Sequence, residues 1–368
     1  MPHQPLDRTR EERNLADRLR AAVEESIDTE QAESLRSVDS ASGVPLFRIS
    51  LPSEIGPRRF VVKVSSPGGD WIARATRDEG AREVALFLAG LPELLPPAME
   101  WPALAARKDG KDAWHLVMID LEADAGANLV PPGDDPVPEE LITQFLVHLA
   151  CLHRTFLDRR QRFTDVGFCD IAAWLTLLGP ATVARERGGN DPVTPHLAPG
   201  WDAFARLAPA QVARKIVELL VDPTPLAEAL GAGPATLLHG DFKFGNLGWR
   251  EGESGSTIVL DWSQAMWGPP LLDLGWFLAV NSARLPFSKE HAIGIYRDQV
   301  RELYGDGWER SLDFALLGGG VLRLGWAKAL GVASDDPVVA ARDRAELDWW
   351  LPVAERALAR LETEKGLT

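Results

Sequence analysis

The chain has 368 residues and a formal net charge of −15 at neutral pH, with hydrophobic residues at 45% and charged residues at 25%. This size and balance suit one large two-lobed unit or two domains around ordinary cores, and the acidic surplus argues against a nucleic-acid partner, whose phosphates attract basic surfaces. Cys151 and Cys169 are too few for a disulfide framework and lack metal-ligand spacing, so they read as two buried, reduced thiols.

In chain order, Arg8 to Leu35 is rich in Glu, Arg, Ala and Leu, with Leu15, Leu19 and Val23 at four-residue intervals. That spacing predicts an N-terminal helical extension, residues 1–37. Met1 to Arg13 is charged and lacks the apolar run of a signal peptide. From Val38 the character changes to β-rich runs, Pro45 to Leu51 and Phe60 to Ser65, around a Pro/Gly turn. A helix is expected from about Asp78 to Leu91, then strands near Leu104–Arg107 and Trp114–Ile119 around a Lys-Asp-Gly-Lys turn. Residues 38–120 therefore read as a small antiparallel sheet with one helix.

After Asp120 the pattern turns helical. Glu139 to Phe156 carries Leu141, Phe145, Leu149, Leu152 and Phe156 at helical spacing. Asp170–Arg187 and Trp201–Leu220 read as two further helices joined by a loop from Gly188 to Gly200. The most apolar later stretch, Phe314 to Ala333, contains Arg323 and Lys328, so it reads as a buried helix and not a membrane span. A soluble, cytoplasmic protein with no membrane partner is expected.

The most informative segment is Leu237-Leu238-His239-Gly240-Asp241-Phe242-Lys243-Phe244-Gly245-Asn246, followed by Ile258-Val259-Leu260-Asp261-Trp262. Asp241 and Asn246 share a loop that opens onto Leu247-Gly248-Trp249; a polar, Gly-rich turn and the β-branched run Thr257–Leu260 follow, ending at Asp261. Two short strands around a turn make an antiparallel hairpin, which sets the start of one beside the end of the other at roughly 5 Å between Cα atoms. Asn246 and Asp261 then meet at one end with Asp241 a loop away, a convergence of oxygen ligands suited to a hard cation such as Mg²⁺. Taken singly, an Asp before a turn is usually a turn former or a helix cap, and Asp273 reads as the cap of a helix starting at Leu274.

The order of these residues resembles the catalytic and metal-binding segments of the protein-kinase-like superfamily. The His-Gly-Asp and Asp261-Trp262-Ser263 variants, with Gly268-Pro269-Pro270-Leu271-Leu272-Asp273-Leu274-Gly275-Trp276 behind them, resemble its aminoglycoside phosphotransferase and choline kinase branch. The resemblance implies an α+β, bilobal protein-kinase-like fold, with a nucleotide-binding N-lobe (38–120) and a larger, mainly helical C-lobe (121–368). It also implies an ATP-dependent small-molecule kinase, a phosphotransferase acting on an alcohol group. Asp241 would take the acceptor's proton, and Asn246 and Asp261 would hold Mg²⁺. The short span from Asp261 to Asp273 leaves no room for a long activation loop, so a protein substrate is not expected.

For the nucleotide, Lys63 lies in the apolar strand Phe60–Val64, where a buried ammonium needs a partner. The resemblance makes it a phosphate contact paired with Glu83, with Glu79 one turn earlier as the other candidate. Ser40, Ser42 and Gly43 lie in a segment that either cradles phosphate or is an ordinary turn. Met118, Ile119 and Asp120 fall where the lobes should join, and by resemblance their backbone would meet the adenine. Lys243, two residues after Asp241, would neutralise charge on the transferring phosphoryl group or sit exposed at the loop's rim. His239 reads as a loop brace, and His153 as a helix residue.

The acceptor is not written in the sequence: an aminoglycoside, amino alcohol, sugar or other metabolite would serve. The pocket is expected from Asp170–Leu220 and the C-terminal helices, where Asp335, Asp336, Asp343 and Glu346 would suit a cationic molecule or form a solvated face. A catalytically silent nucleotide-binding scaffold and a metal-dependent hydrolase using His239, Asp241 and Asp261 are the competing readings.

Overall fold

The computed structural model describes residues 33–35, 44–51, 57–66, 68–109, 113–189, 191–252 and 255–365. Its β-branched runs pair into a five-stranded antiparallel sheet in the order β1-β2-β3-β6-β5: β1 is Glu33–Leu35, β2 Leu46–Leu51, β3 Arg58–Ser65, β5 Ala103–Asp109 and β6 Ala113–Ile119. The register sets Arg48 opposite Val61 and Leu46 opposite Lys63, with Met118 beyond Val61. Strand alternation therefore puts Leu46, Arg48, Val61, Lys63 and Met118 on one face. Phe60 and Val62 occupy the other, where they form a small core with Ala105 and Val117.

Glu33–Leu35 is a strand and not the tail of a helix, because it pairs with Leu46–Arg48. The rest of the expected extension lies outside the described residues.

The helix expected over Asp78–Leu91 is shorter. Left-handed backbone at Ala81 (φ 50°) and Gly90 (φ 80°) confines it to Arg82–Leu88, and Leu91–Leu94 forms a separate turn. Leu88, at the end of this helix, is exposed. A further helix, Trp71–Ala75, escaped the sequence reading; the Asp70 side chain caps it by accepting from Ala73 N at 2.9 Å. Arg82 ties the Arg82–Leu88 helix to the other lobe, donating to Gly167 O at 2.7 Å and to Ser263 O, with Thr76 O at 3.2 Å.

In the larger lobe, the Glu139–Phe156 helix buries Phe145, Leu149, Leu152 and Phe156 of its predicted face, with Leu141 half-buried and Ile142 and Leu146 buried beside them. Each such burial contributes about 1.5–3 kcal/mol. The next two expected helices are both broken by proline. Ile171–Leu175 and Pro180–Arg185 part at Gly179-Pro180, while Thr194–Leu207 and Ala210–Val221 part at Ala208-Pro209. Pro fits the first turn of a helix but not its interior, so each begins the second piece. The expected loop before Trp201 is correspondingly short, since Thr194–Leu207 starts inside it.

The hairpin forms as expected: β9 (Leu247–Arg250) pairs with β10 (Ser256–Val259), Leu247 opposite Val259. It grows into a four-stranded sheet by adding β4 (Met99–Glu100), parallel to β10, and β7 (Ala127–Leu129), antiparallel to β9. A third pair, β8 (Thr236–Leu238) with β11 (Met266–Gly268), flanks the loop before the hairpin. Helices Leu271–Val280, Lys289–Val300, Trp308–Leu316, Leu322–Val332 and Pro337–Lys365 complete the lobe, with a π-helical turn at Leu317–Val321. Gly319 in that turn lies so close to the Leu271–Val280 helix that a Cβ would meet Leu272 O at 2.7 Å. Among the described residues no helix is long and apolar enough to cross a membrane. A small antiparallel-sheet lobe on a mainly helical one is the bilobal, kinase-like architecture.

Candidate active site

In the segment from His239 to Asn246, all residues but half-buried Lys243 and exposed Gly245 are buried. Gly240 adopts φ 78°, and a Cβ there would meet Gln264 O at 2.2 Å, so only glycine fits. Asp273 accepts the N–H groups of His239 and Gly240, each at 2.8 Å, and lies 3.2 Å from His153 Nε2. It is therefore a brace under the loop and not the helix cap expected from sequence; Pro270 occupies the cap position. His239 Nε2 donates to Leu260 O at 2.9 Å, and its Nδ1 accepts from Asp241 N at 3.1 Å. Burial holds its pKa below the ordinary value, consistent with a neutral bracing imidazole.

Asp241 is buried, yet its carboxylate has three polar neighbours. Trp276 Nε1 donates to Oδ1 at 3.0 Å, Asn246 Nδ2 to Oδ2 at 3.1 Å, and Lys243 Nζ stands 3.0 Å from Oδ2. Asn246 Nδ2 also reaches Asp241 O at 2.9 Å, which leaves its amide oxygen turned away from these bonds. Lys243 is not a rim residue. Burial works to lower its pKa, but Asp241 outweighs this and holds it above the ordinary lysine range.

Across the cleft, Lys63 Nζ bonds Glu83 Oε2 at 2.7 Å and Asp261 Oδ1 at 2.6 Å. Glu83 is the partner; Glu79 lies exposed before the helix. Glu83 Oε1 also accepts Trp262 N at 3.1 Å, fixing the residue after Asp261. Burial opposes the charge on Lys63, and the two carboxylates overcome it, keeping the ammonium protonated far past neutrality. Burial likewise opposes charge on Asp261, but Lys63 prevails and the carboxyl falls well below its ordinary range. Glu83 carries the net cost: burial, and then the Asp261 charge, leave it raised. Asp261 itself sits at φ 62°, a conformation rarely taken by non-glycine residues. The hairpin register and Leu260 N→Asn246 O at 2.9 Å bring Asn246 and Asp261 to one end, as their spacing predicts.

A cleft of about 880 Å³ lies along the inner face of the sheet and reaches Gly245 and Leu260, the chain neighbours of Asn246 and Asp261. Val61, Met118, Ile119, Asp120, Leu121 and Leu260 are among its lining residues. Of the backbone groups expected to meet a ligand at Ile119 and Asp120, the N–H groups are engaged within the fold. Ile119 N already donates to Pro102 O (3.0 Å) and Asp120 N to Arg59 O (3.3 Å), so neither N–H is offered to a ligand. The Asp120 side chain is used as well, by Arg48 Nε at 2.7 Å and Arg59 Nε at 3.2 Å, while Arg48 Nη2 bonds Glu122 at 2.6 Å. Ser40, Ser42 and Gly43 lie outside the described residues.

The C-terminal carboxylates are not free. Asp343 and Glu346 are buried, the first within 3.8 Å of Lys328 and the second bonded to Lys289 at 2.6 Å. Asp335 and Asp336 are not buried with them. Cys151 is half-buried and Cys169 buried; both are free thiols.

Sequence reasoning missed Arg48, Trp276 and Arg323, which reach the site from distant elements. A tryptophan on an apolar helix carries no signal that its indole serves a carboxylate 35 residues away.

No curated protein matches the chain. Among solved structures, a microcompartment-associated aminopropanol kinase is similar over 94% of this chain and 98% of its own, at 13% identity and a TM-score of 0.50. An aminoglycoside phosphotransferase from Alicyclobacillus acidocaldarius is similar over 95% and 96% at 15% identity (TM-score 0.46), and a Plasmodium vivax ethanolamine kinase over 97% and 99% at 13% (TM-score 0.48). Residues 51–314, well over half the chain, match the model of the phosphotransferase enzyme family. The chain belongs to that family.

Proposed function

We propose that this protein transfers the γ-phosphoryl group of ATP to a hydroxyl of a small molecule. The observation that carries the reading is the buried Asp241 carboxylate, pinned by Trp276, Asn246 and Lys243. It faces a Lys63–Asp261–Glu83 cluster at the end of a nucleotide-sized cleft. Asp241 orients the acceptor hydroxyl and receives its proton. The freed oxygen bonds to the γ-phosphorus as the bond to the β,γ-bridging oxygen breaks, and ADP leaves. Lys63 and Lys243 hold negative charge on the phosphates, and the rigid loop supplies positioning, which is most of what phosphoryl transfer asks of a protein.

The donor set fits Mg²⁺, which prefers one or two carboxylates with phosphate oxygens. The amide oxygen of Asn246 and the carboxylate of Asp261 would hold it, and when bound it neutralises the phosphates.

From Asp261 the chain passes through a turn at Trp262–Gln264 and β11 straight into the Leu271–Val280 helix. That path has no long segment to bind a peptide, which supports a small acceptor. The net charge of −15 is what remains in favour of a cationic one, since Lys328 and Lys289 neutralise Asp343 and Glu346.

The test is coupled ADP release across aminoglycosides, amino alcohols, choline and sugars, with Asp241→Asn beside the parent. With an accepted alcohol, the variant should lose about 10²–10⁴-fold in turnover while binding ATP normally. Near-parental turnover would remove Asp241 as the base, and efficient labelling of casein-like substrates would overturn the small-molecule reading.

A further inference from the structure

Arg323 opens the Leu322–Val332 helix, directly after the π-helical turn, and its side chain is fully buried. Buried guanidinium groups ordinarily lie against a carboxylate; among the described residues Arg323 has none within ion-pair distance. Its Nη1 donates to Trp174 O at 3.2 Å and its Nη2 to Gln264 Oε1 at 3.0 Å. Nε finds no partner among the protein's described groups. The guanidinium is sandwiched between two indoles, 4.4 Å from the Trp174 ring and 4.5 Å from the Trp276 ring.

Each group that Arg323 touches in turn touches the catalytic loop. Trp174 Nε1 donates to Gly240 O at 2.8 Å, and Trp276 Nε1 to Asp241 Oδ1 at 3.0 Å. Gln264 presents its backbone oxygen against Gly240 so closely that no Cβ fits between them. One cation thus joins the two indoles that hold two consecutive residues of the loop, Gly240 by its backbone and Asp241 by its carboxylate, and the side chain of Gln264, whose backbone packs against Gly240.

We infer that Arg323 is a positioning residue for Asp241, acting through the Trp174–Trp276 sandwich without touching either substrate. The inference rests on Asp241 being the base. Cation–π attraction is strongest where the cation is desolvated, and burial here is complete. The guanidinium also stays charged: burial pulls its pKa down to about 10, still above neutrality. Removing it leaves both rings free to rotate about their side-chain bonds, and the indole N–H that aims the Asp241 carboxylate loses its backing. A misplacement of about 1 Å at such a group is enough to cost on the order of 10²-fold in rate.

The experiment compares Arg323→Met and Arg323→Lys with the parent, using ¹⁵N-tryptophan-labelled full-length protein. Trp174→Phe and Trp276→Phe assign the two indole N–H signals. In Arg323→Met both signals should shift while the other indole signals hold. The kcat should fall about 10–100-fold, and the KM for ATP should stay within about threefold, because only an interaction made in the transition state is lost. Arg323→Lys, which keeps the cation between the rings, should recover at least part of kcat. Unmoved indole signals, or a kcat near the parent's, would overturn the inference, as would a collapse of ATP and acceptor binding in step with kcat. If Arg323→Met does not fold, Arg323→Gln, which also removes the cation, decides: shifted indole signals and a lowered kcat support the clamp, and parental values in both refute it. A parent inactive on every acceptor would count against the proposed function, while the indole signals would still decide whether the clamp exists.

Discussion

At one end of the site, Lys63 donates hydrogen bonds of 2.7 and 2.6 Å to buried Glu83 and to Asp261, whose side chain is 33% exposed. At the base end, Arg48 spans from β2 to buried Asp120 and to Glu122, whose side chain is 68% exposed. The first is a closed electrostatic unit in which every partner is needed, and the second is a partly wet strap across the mouth of the cleft. Charges inside a protein interact more strongly than those at its surface. The expectation is that the chemistry depends on the first region and that the second can vary with modest cost.

The sharpest way to break this contrast is Lys63→Met. It leaves two carboxylates facing each other in the interior, and stranding one side of a buried ion pair typically costs about 3–5 kcal/mol. Urea denaturation of the nucleotide-free protein should show a loss of that order, together with loss of turnover. A loss under about 1 kcal/mol would mean that the cluster is as solvated as the strap.

Asp261→Asn is expected next in size. Asparagine tolerates left-handed backbone, so the turn should survive while the charge is removed. ATP with Mg²⁺ at about 100 times its dissociation constant should stabilise the parent by about 2.7 kcal/mol. That gain should vanish in the variant, read as a melting shift. An undiminished shift would place the metal elsewhere.

The smallest effect belongs to Arg48→Met. Loss of one half-exposed tie is worth about 1 kcal/mol, so the KM for ATP should change roughly five-fold with kcat nearly constant. A large fall in kcat would show that the strap and the phosphate cluster act as one unit, and the contrast drawn above would fail.

The same division marks what could be read from sequence. Asp241, Asn246 and Asp261 were legible because a short loop and a hairpin fix their relative positions locally. Lys63 stood out as a charge inside an apolar strand, although choosing Glu83 over Glu79 required the left-handed turn at Ala81, which delays the helix until Arg82. Gly179-Pro180 and Ala208-Pro209 carried visible break signals that helical periodicity overrode. Asp273 had the composition of a cap, and only the packing of its helix beneath His239 and Gly240 reveals a brace. Which backbone groups of Ile119 and Asp120 face a ligand could not be read, since their N–H groups are taken by Pro102 and Arg59. Backbone bonding across neighbouring strands leaves no mark on side-chain identity.

Arg82 bears on how such a protein can be controlled. Its side chain is fully enclosed, and it joins the helix that carries Glu83 to the carbonyls of Gly167 and Ser263 on the opposite lobe. In kinase folds with regulated output, the corresponding helix swings in and out to make or break the lysine–glutamate pair. Here that swing would strip a guanidinium of its carbonyl partners and expose it to an apolar interior, a cost that no small effector repays cheaply. A helix riveted in this way makes a poor throttle.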